Sequence, residues 1–309
     1  MKLIESSAEI MKEENPLIKI EKIGRICYKS DSDYTVDSAI AFIKSLIKRG
    51  HMSVLEHANF VFEGVYSLYR GKPFVKSTYV YNKRVTRRLI SCNLRAIIEN
   101  NYYDLQNVLL KSYPRLSEIF DMKVLSDYVY PREIKLVNIN DYKDLTVEEL
   151  NNHVYTSFLF VTDRGVTHEM VRHRIASYTQ ESTRYCNYSN DKFGREISCI
   201  IPADYESWDS LCKFEYTKAL EKAESAYMYM INNGCTAQQA RGVLPTNLST
   251  TIVMTANHAE WEHFFDLRSR GKTGAPHPNM KKVASEAEEK YFNHYNNFEG
   301  MLYKENLSK

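Results

Sequence analysis

The spacing of apolar residues predicts helices and strands that do not alternate in a regular repeat. At residues 35–49, apolar side chains recur with helical spacing, and Gly50 marks the end of that helix. Residues 58–66 place Phe60 and Phe62 in alternation, which predicts a strand. Continuous apolar runs at 154–161 and 248–255 predict two buried strands.

Polar residues at capping positions predict where several helices begin. Ser53 and Glu56 have the spacing of a capping box, which predicts a short turn starting at Ser53. Ser207 is the predicted cap of a long helix over 208–232, and Asn257 with a glutamate three residues later predicts another helix start.

The remaining pattern predicts the fold class. Helices are expected near 91–100, over 165–176 and over 279–299, while 70–150, rich in turns and charge, predicts a family-variable insertion. The sequence lacks the glycine-rich fingerprints of dinucleotide-binding and P-loop folds. We therefore expect a single α+β domain over 1–309, with a mixed or antiparallel central sheet flanked by helices.

Composition narrows the class of protein. The chain carries 41 basic and 39 acidic residues, and a net charge of +2 argues against coating nucleic acid or membrane through bulk charge. The chain has six cysteines, and none of them forms a C-x-x-C pair. This pattern argues against a zinc site and against a disulfide framework, so we expect no metal. Free thiols and the absence of a long apolar run predict a soluble cytoplasmic protein.

The tripeptide Arg172-His173-Arg174 is the most informative cluster of polar residues. Taken alone, it would be interpreted as a solvated basic face. Apolar residues flank it on both sides, however, and predict a partly buried helix. Buried guanidinium groups need anions, and a phosphate-bearing ligand would supply them.

Ser182 follows this tripeptide after seven residues, and the combination resembles the signature of the flavin-dependent thymidylate synthases. The resemblance covers most of 20–70 and 154–299. Three further blocks resemble the family in order and spacing: HMSVLEHANFVF at 51–62, ARGVLP at 240–245 and NHAEWEHFFDLR at 257–268.

The resemblance implies a reaction and an assembly. The family methylates dUMP to dTMP, with methylenetetrahydrofolate as the carbon donor and NADPH as the reductant acting through bound FAD. It also implies a homotetramer whose active sites are shared between subunits. No membrane or nucleic-acid partner is expected.

The resemblance also implies which side chains form the site. Arg268 matches the catalytic residue that activates the pyrimidine, a role that suits a guanidinium facing developing negative charge. The positions implied for dUMP are Glu169, Arg172, Gln180, Glu181, Ser182, Arg184, Arg241 and Arg268. Those implied for FAD are Ser53, Arg172, His173, Arg174, Gln180, Asn257 and His263. His51 matches a position near folate and flavin. Compact family members carry Asn at position 263 and Glu at position 180, so the chain departs from them there.

Other functions remain as alternatives. Ser182 lacks the G-x-S-x-G elbow of a serine hydrolase, and we interpret it as a ligand-binding hydroxyl. The stretch 79–95 places the basic run from Lys83 to Arg88 beside Tyr79, a pattern typical of single-stranded nucleic-acid binding. A flavoprotein acting on another nucleotide would bind FAD but fail to convert dUMP.

Overall fold

A computed structural model describes residues 1–64, 69, 71–81, 86–127, 134–142 and 144–306, with side chains as far as residue 295. The strands are β1 (Lys2–Ile4), β2 (Ser7–Ile10), β3 (Asn59–Glu63), β4 (Lys76–Tyr81), β5 (Thr86–Asn93), β6 (Lys135–Val137), β7 (Tyr155–Asp163), β8 (Ser177–Gln180), β9 (Ser198–Ile200) and β10 (Ser249–Asn257). The α-helices are α1 (Pro16–Ile26), α2 (Val36–Lys48), α3 (Leu94–Glu99), α4 (Tyr103–Ser112), α5 (Met122–Asp127), α6 (Val147–His153), α7 (Arg164–Met170), α8 (Ser210–Asn232), α9 (Ala237–Ala240), α10 (His258–Arg268) and α11 (Pro278–Asn306).

One four-stranded antiparallel sheet has the strand order β2-β7-β10-β8. The apolar runs predicted as strands form its centre, where β7 and β10 pair along their whole length. Phe158 and Phe160 on β7 pack against Trp261 of α10 and Tyr291 of α11. This aromatic core fixes α10 against the sheet, and with it the side chains that α10 carries.

A second four-stranded antiparallel sheet has the order β4-β5-β3-β6. Strand β3, predicted within 58–66, pairs on one edge with β5 and on the other with β6, and both partners come from the 70–150 segment. Helices α1 and α2 bury Ile20 and Ile43 in the core beneath this sheet. The segment is therefore paired to β3 by backbone hydrogen bonds on both sides.

The remaining strands β1 and β9 form a short parallel pair. The α+β class and the antiparallel sheets agree with the prediction. No helix in the described part of the chain is both long and apolar enough to cross a membrane.

Two predicted helix starts are wrong in detail. Helix α8 is capped by Asp209, whose carboxylate accepts from the N–H groups of Leu211 and Cys212, so Ser207 lies before the cap. The helix predicted over 91–100 begins only at Leu94, because residues up to Asn93 continue β5 and pair with β3. Tertiary pairing overrode the local pattern in the second case.

Candidate active site

Helix α7 leads into the basic tripeptide. Asp163 caps the helix by accepting from the Val166 N–H at 2.7 Å. The helix ends at Met170, so the predicted helix over 165–176 is wrong in its second half, and the three residues lie in the loop that follows. The Tyr178 hydroxyl lies 2.8 Å from the carbonyl oxygen of Met170 and 2.7 Å from that of His173, so its single proton is shared between them and holds this turn. Burial raises the pKa of Tyr178, which keeps this hydroxyl protonated.

Arg268, the last residue of α10, is anchored on two residues of this region. Its Nη1 donates to the Glu169 carboxylate at 2.7 Å, its Nη2 to the Glu169 carbonyl at 3.4 Å, and its Nε to His173 Nε2 at 3.1 Å. An arginine has five N–H donors, so two remain for a ligand. The side chain is 19% exposed, which leaves this guanidinium accessible but fixed.

His173 is buried behind Arg268. Because its Nε2 accepts from a permanently charged guanidinium, the neutral ring carries its proton on Nδ1. That Nδ1 lies 3.5 Å from a Glu260 carboxylate oxygen but has no satisfied hydrogen bond among the described residues. The ring centroid lies 5.0 Å from that of Phe264 and 5.5 Å from that of His263, both in edge-on contact. The imidazole is thus a packed support for Arg268.

His173, Glu260 and His263 bring potential metal-ligand atoms within 4.8 Å of one another. A metal ion needs a nitrogen lone pair, yet Nε2 of His173 is used by Arg268 and Nδ1 then holds the proton. The hydrogen bonding of this group therefore favours a structural arrangement over metal ligation.

Three of the predicted arginines are unpaired. Arg172, Arg174 and Arg241 are exposed and make no hydrogen bond or ion pair through their side chains with the described residues. Arg184 donates its Nε to Gln238, and its backbone N–H lies 3.3 Å from Ser182 Oγ. Guanidinium groups without internal partners are donors that suit phosphate.

The side chains of Gln180 and Glu181 both bond to other residues of the protein. The Gln180 amide donates to Thr167 at 3.0 Å and Thr250 at 3.3 Å, which ties β8 to α7 and β10. The Glu181 carboxylate is buried, accepts from the Tyr188 hydroxyl at 2.9 Å and lies 3.0 Å from Lys29 Nζ. The side chain of Glu181 is therefore already engaged within the protein.

His51 and Ser53 lie at a 3₁₀ turn over Met52–His57, and both are exposed. The predicted capping box is wrong, because no side-chain hydrogen bond caps this turn. The Glu56 carboxylate instead accepts from Arg95 at 2.7 Å and from the Ser177 hydroxyl at 3.0 Å. Glu56 thereby links the turn to β8 and to α3.

Asn257 and His263 both belong to α10, the first as its N-cap and the second in its middle. Asn257 caps the helix as predicted, with its side-chain oxygen accepting from the Glu260 N–H at 3.0 Å. His263 is exposed against the edge of His173. Sequence reasoning missed the roles of Tyr178 and Glu260. Glu260 had been interpreted as a capping residue, and no sequence signal marked Tyr178 among many tyrosines.

A family model for thymidylate synthase complementing proteins matches residues 9–69 and 136–292. The chain belongs to this family. The match includes every predicted site residue and leaves out residues 70–135. Members of the thymidylate synthase complementing family thus share the region in which Arg268, Glu169 and His173 meet.

Individual relatives match over shorter lengths. The flavin-dependent thymidylate synthase of Geobacter sulfurreducens is 35% identical over 117 residues, which are 37% of this chain and 48% of that protein. The protein of the same name from Pyrococcus horikoshii is 35% identical over 136 residues, 44% of this chain and 54% of that one. The chain matches about half the length of these relatives.

One solved structure aligns over most of the chain. It is the UMP/dUMP methylase PolB from Streptomyces cacaoi bound with 5-Br dUMP. The alignment covers 95% of this chain and 93% of the PolB chain. The TM-score is 0.41 and the identity is 15%. This likeness is too weak to support an inference about the site.

Proposed function

We propose that this chain is a flavin-dependent thymidylate synthase that methylates dUMP to dTMP. Methylenetetrahydrofolate supplies the carbon, and NADPH supplies the reducing equivalents through bound FAD. One observation carries the proposal: a fixed, partly exposed Arg268 whose neighbouring loop carries two unpaired arginines, in a chain of the thymidylate synthase complementing family. The names of the relatives support the same reaction.

The donor set fits the ligands of this reaction. A nucleotide monophosphate and a flavin pyrophosphate are anions, and exposed guanidinium groups without internal partners bind such groups with charge-assisted hydrogen bonds. We assign Arg174, with Ser53, His173, Gln180, Asn257 and His263, to FAD, and Arg172 to both ligands. His51 lies in the same turn as Ser53 and is assigned to the vicinity of folate and flavin. When bound, the flavin supplies hydride transfer.

Arg268 is the proposed catalytic residue. Glu169 and His173 hold its guanidinium in one orientation, so its two free N–H groups can face the polar edge of the pyrimidine without reorganising. Negative charge that develops on the ring is then stabilised by a permanent cation. We assign Glu169, Arg172, Gln180, Glu181, Ser182, Arg184 and Arg241 to the dUMP site around it.

The exposed face of α8 supports the proposed assembly into a homotetramer with shared sites. Leu211 and Phe214 lie one turn apart in the first turn of this 23-residue helix, and both are exposed. Apolar side chains aligned on one helix face are typical of a surface that a second copy covers. The unpaired thiols of all six cysteines fit a cytoplasmic setting.

The test is formation of dTMP by purified protein given dUMP, methylenetetrahydrofolate and NADPH, with and without added FAD. We expect a flavin absorption spectrum and turnover that depends on all components. Arg268→Ala should retain most of its FAD and lose at least about a hundredfold in turnover. A protein that binds FAD but leaves dUMP unchanged would identify a flavoprotein acting on another nucleotide. A protein without flavin affinity would refute the proposal altogether.

A further inference from the structure

A cavity of about 540 Å³ lies between the family-matched region and the segment that the family model leaves out. On the matched side it is lined by Glu56, Arg174 and Ser177. On the other side it is lined by Phe74, Lys76 and Arg95. The second wall therefore comes from residues outside the family match.

Hydrogen bonds hold the two walls together. Arg95 donates to Glu56 at 2.7 Å and to Glu99 at 2.9 Å, and Glu56 also accepts from the Ser177 hydroxyl at 3.0 Å. This chain of contacts runs from α3 through the 3₁₀ turn to β8. The charge of Arg95 is compensated by these two carboxylates, so it is a structural cation of the wall.

Two other cations on the cavity are not compensated. Lys76 and Arg174 line it from opposite walls, are exposed, and form no ion pair with the described residues. Counting the carboxylates of Glu56 and Glu99 against the three cations of the lining (Lys76, Arg95 and Arg174), the cavity carries a net charge of +1. An anionic ligand fits that charge better than a neutral one.

Phe74 adds an aromatic surface at the rim. Its side chain is 73% exposed, and its backbone has a φ of 57°, a left-handed conformation that a bulky residue rarely adopts. Such strained residues concentrate at ligand-binding positions. Exposed Ile175 on the opposite wall extends the apolar rim. A flat ring system that also carries negative charge matches both properties of the cavity.

We propose that residues 74–76 and 92–99 form a second wall of a cofactor cavity, in which Lys76 pairs with the anionic part of a flat heteroaromatic ligand and Phe74 packs on its rings. The inference rests on the proposed function, and among the heteroaromatic anions of that reaction it concerns the cofactor FAD and the carbon donor methylenetetrahydrofolate. It extends the function by adding binding residues from outside the family match.

The experiment compares Lys76→Glu with Lys72→Glu. Both lysines are exposed and lie in the same segment, but Lys72 does not line the cavity. Dissociation constants are measured for FAD by quenching of flavin fluorescence and for methylenetetrahydrofolate by calorimetry on the FAD-loaded protein. We expect Lys76→Glu to weaken one of the two ligands at least about tenfold, and Lys72→Glu to change both less than about twofold. Phe74→Ala should weaken the same ligand about threefold to tenfold.

The outcomes separate this inference from the proposed function. Weaker FAD binding assigns the wall to the flavin, and weaker folate binding alone assigns it to the carbon donor. If Lys76→Glu and Phe74→Ala bind both ligands like the wild type while Arg174→Ala loses FAD affinity, the second wall is refuted and the proposed function stands. If the wild type itself binds neither ligand, both fail.

Discussion

Two basic stretches of this chain use their arginines in opposite ways. Arg87, in the run that resembled a nucleic-acid-binding pattern, is 5% exposed and donates to both oxygens of Glu149 at 2.7 Å and to Asp144 at 2.9 Å. Arg172 and Arg174, in the loop after α7, are exposed and unpaired among the described residues. The first stretch holds a sheet to a helix, whereas the second presents charge to solvent.

The contrast shows why a count of basic residues does not identify a binding surface. Arg88 is exposed, but its guanidinium lies 5.1 Å from the centroid of the Tyr79 ring and so contacts its own segment. Residues 82–85 of the same run lie outside the described part of the chain. What distinguishes a ligand-binding cation from a structural one is whether the fold already provides its counter-ion.

Arg87→Ala should have the largest effect on stability. It leaves the fully buried Glu149 without its counter-ion, so we expect the free energy of unfolding to fall by about 3–5 kcal/mol. Urea denaturation followed by circular dichroism measures this. In the exposed pair of Arg195 with Asp191, Arg195→Ala should change stability by less than about 0.5 kcal/mol. Equal losses in the two variants would contradict the structural role of Arg87.

Acid should lower the free energy of unfolding, because two buried histidines, His57 and His153, resist protonation in the folded protein. Burial lowers the pKa of His57, which contacts two threonine hydroxyls, to about 3, and that of His153, which contacts Thr78 and Ser91, to about 4. The unfolded chain titrates near pH 6.5, so below that pH it binds protons that the folded protein excludes. Stability is thus retained above about pH 6.5 and falls as the pH drops toward 4.

By pH 5 we expect a loss of about 2 kcal/mol for each of the two histidines, from about 1.36 kcal/mol per pH unit. Urea unfolding at pH 7 and pH 5 measures it, and the exposed His51→Gln variant is the control, with an unchanged difference between the two pH values. A wild-type stability that stays constant from pH 7 to pH 5 would show that these histidines are protonated in the fold.

Arg174→Ala should weaken ligand binding and leave stability almost unchanged, whereas Arg87→Ala acts mainly on stability. The side chain has no internal partner among the described residues, so its removal should change the unfolding free energy of the ligand-free protein by less than about 0.5 kcal/mol. FAD affinity should fall about tenfold to a hundredfold, because a charge-assisted hydrogen bond is lost. Thermal melts with and without FAD test both statements, and Lys48→Ala, an exposed position on α2, serves as the control. An equal FAD-dependent shift in Arg174→Ala and wild type would remove Arg174 from the site.

The sequence was sufficient where local pattern and tertiary structure agree. The apolar runs of β7 and β10 and the Asn257 cap are encoded by adjacent residues, and the structure confirms them. It was insufficient where a distant group decides. The turn that ends the helix before Arg172 is held by Tyr178, and the carboxylate of Glu56 bonds to Arg95 instead of capping its own turn. Neither contact can be recognised from the spacing of apolar residues in the sequence.

For the candidate site as well, the sequence predicts the segments but not how they contact one another. The family signature located the segments, and the structure brings Glu169, His173 and Arg268 into hydrogen-bonded contact although Arg268 is distant in sequence. The roles of these residues toward ligands stay predictions. The cavity wall formed by Phe74 and Lys76 had no motif to reveal it, because it depends on how β4 pairs with β5.

Tyr178→Phe should give the smallest effect and the sharpest test of how the loop is held. The substitution removes one hydroxyl and keeps the ring, so packing is retained while the carbonyl oxygens of Met170 and His173 lose a donor. We expect the unfolding free energy to fall by about 1 kcal/mol, the net value of a typical buried hydrogen bond.

Because the same hydroxyl ends α7 and orients the loop, Tyr178→Phe should also weaken FAD binding by a few-fold, although Tyr178 is not assigned to the ligand. Tyr229→Phe, on the exposed face of α8, provides a matched loss of one hydroxyl and should alter neither quantity. Urea denaturation measures the unfolding free energy of the two variants, and flavin titration measures their FAD affinity. If Tyr178→Phe loses stability but binds FAD like the wild type, the loop keeps its conformation without this hydroxyl, and the unpaired arginines owe their placement to Arg268 and Glu169 instead.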